Sequence, residues 1–411
     1  NPLSLSSPGT HRFETPLCRT MPSSPATVPA PLRSAPSLRL AVETDASACL
    51  DALIAQALRW QASDIHFEPL EHGLRVRCRV DGRLRQMESP PAVLRERLIS
   101  RLKVLARLDI ADKRIAQDGQ LNWSQPGQTV HLRVSSLPTL QGEKIVLRVL
   151  DTRQLPLSLS ALGYAVRDLQ VLTQALARPH GMVLLTGPTG SGKTASLYSC
   201  LAHLQHEAVN IATVEDPSEI PIEGINQVSV NERAGLGFAQ ALRALLRQDP
   251  DILMVGEMRD HETASIALQA AQTGHLVLST LHSNDAPSAL WRLVQLGLER
   301  TQVAHTVHLI VAQRLVRRLC PHCRRASDEE ASAWTAVGCA LCHGGYRGRV
   351  GLFQVMPITA ELQSLISAGA DVQTLARQAC AEGVRSVYED GCDKVRQGLT
   401  TWAEVHGAAH A

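Results

Sequence analysis

Residues 187 to 194 read Gly-Pro-Thr-Gly-Ser-Gly-Lys-Thr, and this octapeptide limits the possible folds more than any other stretch. It has the Gly-x4-Gly-Lys-Ser/Thr spacing of a phosphate-binding loop. Gly187, Gly190 and Gly192 let the backbone close around an anion. Pro188, Thr189 and Ser191 complete the cradle, and the start of a following helix faces the charge. Such a loop has to be flanked by a buried strand and a helix. Met182-Val183-Leu184-Leu185 is an apolar run before it. After it, Leu197, Cys200, Leu201 and Leu204 recur at i, i+3, i+4, i+7, one stripe of a helix. In that frame Lys193 reaches the β and γ phosphates and the Thr194 hydroxyl holds Mg²⁺. The chain is expected to bind a nucleoside triphosphate.

Strand candidates at 182–186, 211–214, 252–255 and 276–280 alternate with helical stretches, which implies a mostly parallel sheet covered on both faces. Open α/β sheets place ligands at the carboxyl ends of their strands, so the polar residues there are the candidates for chemistry. Val214-Glu215-Asp216-Pro217-Ser218-Glu219 offers three carboxylates in five residues. Ile252-Leu253-Met254-Val255 ends in Gly256-Glu257. Because Gly256 intervenes between strand and acid, Glu257 suits orientation of the attacking water, leaving metal support to Glu215 or Asp216. His275 and His282 bracket the last strand, and Ser283-Asn284-Asp285 follows it.

With 411 residues the chain has room for two or three domains. Residues 1–37, rich in Pro and Ser, read as a disordered tail. Position 1 is not Met, whereas Met21 is, so part of this tail is expected to precede the natural start. Residues 38–150 read as a small α+β domain. Leu50, Leu53, Ile54, Ala57 and Leu58 form a helical stripe, as do Leu94, Leu98, Leu102, Leu105 and Leu108. In the strand at 74–80, Arg75, Arg77 and Arg79 alternate with apolar residues, and Asp81-Gly82 supplies a turn. Those arginines either sit on a solvated face or reach a nucleotide held by a neighbouring domain or subunit. Residues 151–163 read as a linker, 164–318 as the nucleotide-binding core and 352–411 as a helical region.

Residues 319–351 carry Cys320-x2-Cys323 and Cys339-x2-Cys342, with fifteen residues between the pairs. Four thiolates in two knuckles suit one tetrahedral Zn²⁺, and a closed shell of protein ligands makes the metal structural. Free thiols and metal spacing fit a reducing cytoplasm. No run of 18 apolar residues occurs, so no membrane span is expected. A net charge of +2 and 3 % aromatic residues give no broad basic field or stacking platform, so no direct nucleic-acid contact is expected.

Taken together these motifs resemble the secretion and pilus-assembly ATPases, the family of general secretion pathway protein E and the type IV pilus extension motor. The resemblance spans residues 47 to 405. It rests on ASDIHFEP (62–69), RVRCRVDG (75–82), LDIADKRIAQDGQ (108–120), GPTGSGKT, VEDPSE (214–219), RQDPDILMVGEMRD (247–260), TGHLVLSTLHSNDA (273–286) and AQRLVRRLCPHC (312–323). It implies a RecA-like P-loop NTPase core behind a smaller PAS-like N-terminal domain, with a tetracysteine zinc element. It also implies a cytoplasmic, hexameric ATPase docked at the inner membrane on a platform protein, using ATP and Mg²⁺ to drive assembly of a pilus or pseudopilus and protein export. By matching position, Lys193 and Thr194 bind phosphate and Mg²⁺, and Glu257 is the catalytic glutamate. Glu215 and Glu219 fall in the aspartate box, His275 and His282 in the histidine box. Arg77 and Arg79 lie in the segment that supplies arginines to the nucleotide in relatives. Secretion members also carry a recruiting domain ahead of the matching part, which the Pro/Ser-rich tail does not resemble. Two other readings use the same residues: a DNA-uptake or translocation motor, and a nucleotide-binding scaffold that does not hydrolyse.

Overall fold

The computed structural model describes residues 45–125, 128–150, 157–327 and 333–409. The expected tail and the first part of the expected linker lie outside them.

The first half is built on a six-stranded antiparallel sheet. Its strands are β1 (Asp64–Leu70), β2 (Gly73–Val80), β3 (Arg83–Gln86), β4 (Gln117–Gln125), β5 (Gln128–Thr139) and β6 (Gly142–Leu150), in the spatial order β3-β2-β1-β6-β5-β4. Helices α1 (Ala46–Arg59) and α2 (Arg95–Leu105) bury their leucine stripes on one face, against Ile65, Phe67, Val76, Cys78, Leu132 and Leu147. Asp81 and Gly82, at φ 49° and 84°, make the tight β2–β3 turn. Strand β1 offers a search for apolar alternation only Ile65 and Phe67 before Pro69 interrupts it, with Asp64, His66 and Glu68 on the other face. Those three line up with the arginines of β2 on the charged face.

The second sheet has seven strands: β7 (Gly181–Thr186), β8 (Ile211–Glu215), β9 (Asn226–Ser229), β10 (Ile252–Val255), β11 (Leu276–Leu281), β12 (Val307–Leu319) and, after the two-residue strands β13 (Arg325–Ala326) and β14 (Trp334–Thr335), β15 (Tyr346–Pro357). Their order is β15-β12-β7-β11-β10-β8-β9, parallel throughout except at the β12–β15 pair. Strand residues alternate between two apolar layers. Met182, Leu184, Leu253 and Val255 face one side, where α5 (Phe238–Leu245), α6 (His261–Gln272), α7 (Ala286–Gln295), α8 (Arg300–Thr306), α9 (Ala360–Ala368) and α10 (Val372–Ala381) pack. Val183, Leu185, Ile252 and Met254 face the other, under α3 (Val166–Leu176) and α4 (Lys193–Leu204). Burial on both sides is why these strands read as continuous apolar runs.

One expectation is overturned. The chain after Gly351 is not helical throughout: β15 continues to Pro357 and pairs antiparallel with β12, from Leu309 opposite Pro357 to Leu319 opposite Tyr346. Its run Val350-Gly351-Leu352-Phe353 is buried on both faces at Leu352 and Phe353, so it lacks the period-2 pattern of a half-exposed strand. Helices α11 (Val387–Arg396) and α12 (Trp402–Ala409) cover this extension through Val316, Leu352, Val395 and Val405. The β2–β3 turn leans on it, with Asp81 accepting the Gly348 N–H at 3.1 Å and Arg83 3.2 Å from Glu404.

Candidate nucleotide site

The loop from Gly187 to Gly192 leaves the end of β7 and turns into α4, as its sequence requires. Gly187 has φ 148°, and a Cβ there would lie 2.4 Å from the Gln313 carbonyl and 2.7 Å from Ser191 Oγ. Gly192 has φ 90°, and its Cβ would meet Gln313 Nε2 at 2.8 Å. Strand β12 therefore backs the loop, with Gln313 buried and held by the Ser196 hydroxyl at 2.8 Å. Ser191 Oγ is buried with no partner among the described residues, and the Lys193 ammonium is parked on the carbonyls of Gly187 (2.6 Å) and Pro188 (3.1 Å). An orphaned hydroxyl and a lysine held only by loop carbonyls fit a missing polyanion. Burial pulls the Lys193 pKa down to about 8, with Glu257 opposing and Arg314 adding to the fall.

Glu257 lies two residues past the end of β10 and is mostly buried. Arg259 pairs with its Oε1, and His282 Nε2 stands 3.7 Å from its Oε2. Arg259 also reaches Asp216 at 3.5 Å. Glu257 and its neighbours are fixed from below: Thr280 donates to the Gly256 carbonyl at 2.7 Å and Ser279 to the Val255 carbonyl at 2.8 Å. The strand carrying the loop is tied to the turn after β11, because the Thr186 hydroxyl pairs with Ser283 Oγ at 2.7 Å and accepts the Ser283 N–H at 2.9 Å. Arg314 bridges the same two regions, donating to the carbonyls of Asn284 (3.0 Å) and Gln313 (3.2 Å).

Glu215 is placed differently from its expected role. It is buried and saturated: the hydroxyls of Tyr198, Thr213 (2.6 Å) and Ser218 (3.4 Å) and the Gln227 amide (3.1 Å) all donate to it. A carboxylate so occupied shapes its loop, and the acid of the segment whose charge the Thr194 hydroxyl favours is Glu219. Glu219 keeps solvent contact, yet crowding by protein atoms withdraws enough water to raise its carboxyl pKa, against the pull of Arg148 and Thr194.

Three expected residues stand apart. His275 sits at the opposite end of β11 from the phosphate loop, about 20 Å away at ~3.3 Å per residue. Its Nδ1 is 3.0 Å from the Ala270 carbonyl, and its own carbonyl accepts the Gly181 N–H at the start of β7. Arg77 is bound through two nitrogens to the buried Glu68, at 2.7 and 2.8 Å, which leaves no free fork for phosphate. Burial alone would raise the Glu68 carboxyl, but Arg77, Arg75 and Lys144 bring it down to about 2. Arg79 donates to the Gly82 carbonyl at 2.8 Å. The arginine of this sheet whose charge Glu219 feels is Arg148, on β6.

The four cysteines of the second motif converge. Among the described residues Cys320, Cys323, Cys339 and Cys342 form the one cluster able to hold a metal, with all four sulfurs within 4.8 Å of one another. The Cys320–Cys339, Cys323–Cys342 and Cys339–Cys342 separations are 3.9, 3.6 and 3.7 Å. A zinc tetrahedron with bonds of about 2.3 Å has edges of about 3.8 Å, so the donor set fits Zn²⁺. N–H groups of Gly338 and Cys339 point at Cys323 and Cys342, as thiolates require.

Tyr198, Arg148, Arg259, Gln313 and Arg314 were not singled out by sequence. Tyr198 carried a signal, lying four residues after Thr194 on the same helical face. Gln313 and Arg314 carried none, since only the β12–β7 pairing brings them to the loop.

A phosphate loop at the carboxyl edge of a largely parallel sheet, with an acid and a histidine gathered beside it, defines a P-loop nucleotide-binding protein. The sequence model of the Type II/IV secretion system protein family matches residues 43–407, and the chain belongs to that family. It is 50 % identical over 357 residues to the type II secretion system protein HxcR of Pseudomonas aeruginosa, covering 87 % of this chain and 76 % of that one. It is 47 % identical over 376 residues to the type IV pilus assembly ATPase PilB of Acinetobacter baylyi, covering 87 % of this chain but 65 % of PilB, so it spans just under two thirds of that relative. The crystal structure of the pilus retraction motor PilT with bound ADP superposes with a TM-score of 0.62 at 26 % identity, covering 87 % of this chain and 96 % of that one. No helix among the described residues is long and apolar enough to cross a membrane.

Proposed function

We propose that this chain hydrolyses ATP to power pilus or pseudopilus assembly, and with it protein export. The observation that carries the reading is that the loop ending in Lys193 and Thr194 and the acid Glu257 share one edge of the sheet, the Glu257 charge acting on Lys193 while Arg259 holds Glu257 and His282 faces it. Lys193 leaves the loop carbonyls for the β and γ phosphates, and the N–H groups of residues 190–194 line the rest of the cradle. Mg²⁺, when bound, neutralises charge on the β and γ oxygens; Thr194 and Glu219 are the residues placed to hold it and its waters. Glu257 accepts a proton from the attacking water, and His282 keeps that carboxylate oriented. Arg148 is the cation of the first sheet best placed to meet a triphosphate.

In this reading the six-stranded unit is a PAS-like domain, supported by its central pairing of first and last strands, and the seven-stranded unit is a RecA-like core. Zn²⁺ at Cys320, Cys323, Cys339 and Cys342 is structural. The working form is a homohexamer at the cytoplasmic side of the inner membrane, docked on a platform protein, because the relatives named above are secretion and pilus-assembly proteins. ATP turnover measured against protein concentration tests this. Turnover per chain should rise with concentration and vanish in both Lys193→Ala and Glu257→Gln; a turnover that survives Glu257→Gln overturns the catalytic assignment.

A further inference from the structure

The buried hydroxyl of Tyr198 has no part in the mechanism above, yet it sits where two functional segments meet. Tyr198 is one helical turn beyond Thr194 on α4, and its side chain is fully buried. Its hydroxyl donates to Glu215 Oε2 and accepts the backbone N–H of Glu219 at 3.2 Å. Thus both halves of the hydroxyl are used, and both partners lie in the turn that carries Glu219 to Thr194. The other donors to Glu215 do not belong to α4. Thr213 is on the same strand, Ser218 is in the turn itself at 3.4 Å, and Gln227 belongs to β9, where it also ties the Ile220 carbonyl (3.0 Å) and Ile222 N–H (2.7 Å). Tyr198 is therefore the α4 side chain whose hydroxyl ties both the Glu215 carboxylate and the Glu219 backbone to the helix leaving the phosphate loop.

We propose that Tyr198 is a positioning residue for the metal side of the nucleotide site, setting the distance between Glu219 and Thr194 through one hydroxyl. This rests on the nucleotide reading above and goes beyond it by assigning the metal's geometry to a residue that touches neither metal nor phosphate. Phe at this position keeps the ring and its packing. It leaves Glu215 one donor short and the Glu219 N–H without an acceptor, so the turn is free to drift from α4. Loss of an outer partner of this kind typically weakens metal binding by about 10- to 100-fold.

The test uses the full chain with ADP and Mn²⁺ as a spectroscopic substitute for Mg²⁺, free Mn²⁺ being counted by electron paramagnetic resonance. Tyr198→Phe should weaken Mn²⁺ binding in the presence of ADP by about tenfold or more while metal-free ADP binds within about twofold of wild type. Thr213→Val, which removes a Glu215 donor without touching α4, should leave both values near wild type. Equal Mn²⁺ affinity in wild type and Tyr198→Phe overturns the proposal, as does an equal loss in Thr213→Val. A second measurement needs no variant. Hydrogen exchange at the Glu219 amide should be slow in the empty chain and slower with Mg²⁺ and ADP together, but unchanged by ADP alone. Fast exchange at Glu219 in the empty chain refutes it. Wild type that binds no ADP at all overturns the nucleotide reading and this inference with it, whereas normal binding with an indifferent Tyr198→Phe overturns this inference alone.

Discussion

The two oxygens of Glu257 face different side chains: Arg259 pairs with Oε1, and His282 Nε2 stands 3.7 Å from Oε2. The carboxylate is thereby fixed in orientation before any nucleotide arrives. Glu257→Gln should cut kcat by about 10²- to 10⁴-fold, the usual span for a general base, with ATP binding retained. His282→Ala should lower kcat less, by about tenfold, since it removes an orienting contact and not the base. Single-turnover hydrolysis beside fluorescent-nucleotide binding separates the two effects.

The Lys193 ammonium gives a pH signature. Burial holds its pKa near 8 in the empty chain, well under the usual lysine value, and bound phosphates favour the charged form. Binding above about pH 8 then requires proton uptake, so ADP affinity should fall with rising pH there, by at most tenfold per unit. Calorimetry in buffers of different ionisation heat should register the proton. In Lys193→Arg, whose cation does not titrate in this range, the slope should disappear.

Gly187 is a steric gate. An added methyl would lie 2.4 Å from the Gln313 carbonyl, a backbone atom of a central strand that has no room to retreat. Gly187→Ala should abolish nucleotide binding in equilibrium dialysis. Circular dichroism should show the helices and sheets intact.

The tetracysteine cluster predicts about one Zn²⁺ per chain by metal analysis. Cys320 is buried and accepts no substitute for its sulfur, so Cys320→Ser should lose the metal. Chelation should lower the melting temperature by at least about 5 °C and change Trp334 fluorescence, because Arg324 stacks 4.7 Å over that ring.

A buried ion pair anchors the C-terminal helices. Asp390 pairs with Lys394 and accepts the Phe353 N–H at 2.8 Å, while Lys394 donates to the Gly351 carbonyl at 2.6 Å. Asp390→Ala strands a buried ammonium and should cost about 3–5 kcal/mol in urea unfolding.

Sequence legibility followed the physics of each residue. The loop and strands β7, β8, β10 and β11 were legible because Met182–Leu185 and Ile252–Val255 are apolar throughout and bracketed by glycine or polar punctuation. The cysteines were legible because their spacing is itself the ligand geometry. β1 and β15 were hidden, the first because only Ile65 and Phe67 alternate before Pro69, the second by burial on both sides. Sequence could rank arginines by motif but not by partner: Glu68 lies seven or more positions from Arg75 and Arg77 and engages both, whereas Arg148 meets only Asp64 within its sheet. For Glu215 the residue type was right and the environment decided its use, since donors from α4, β8, β9 and the following turn converge on it.

Strand β12 has a mechanical meaning. It is 13 residues long, about 40 Å, and starts at Val307, opposite Met182 near the start of β7, and stops at Leu319, beside Cys320. Midway along it the Gln313 carbonyl abuts Gly187. The metal element and the phosphate loop therefore share one strand, held by β7 on one edge and by β15 on the other, with its pairing to β15 shifting register between Arg317 and Leu319. A displacement at the cysteines should reach the loop along that strand, softened at the irregularity.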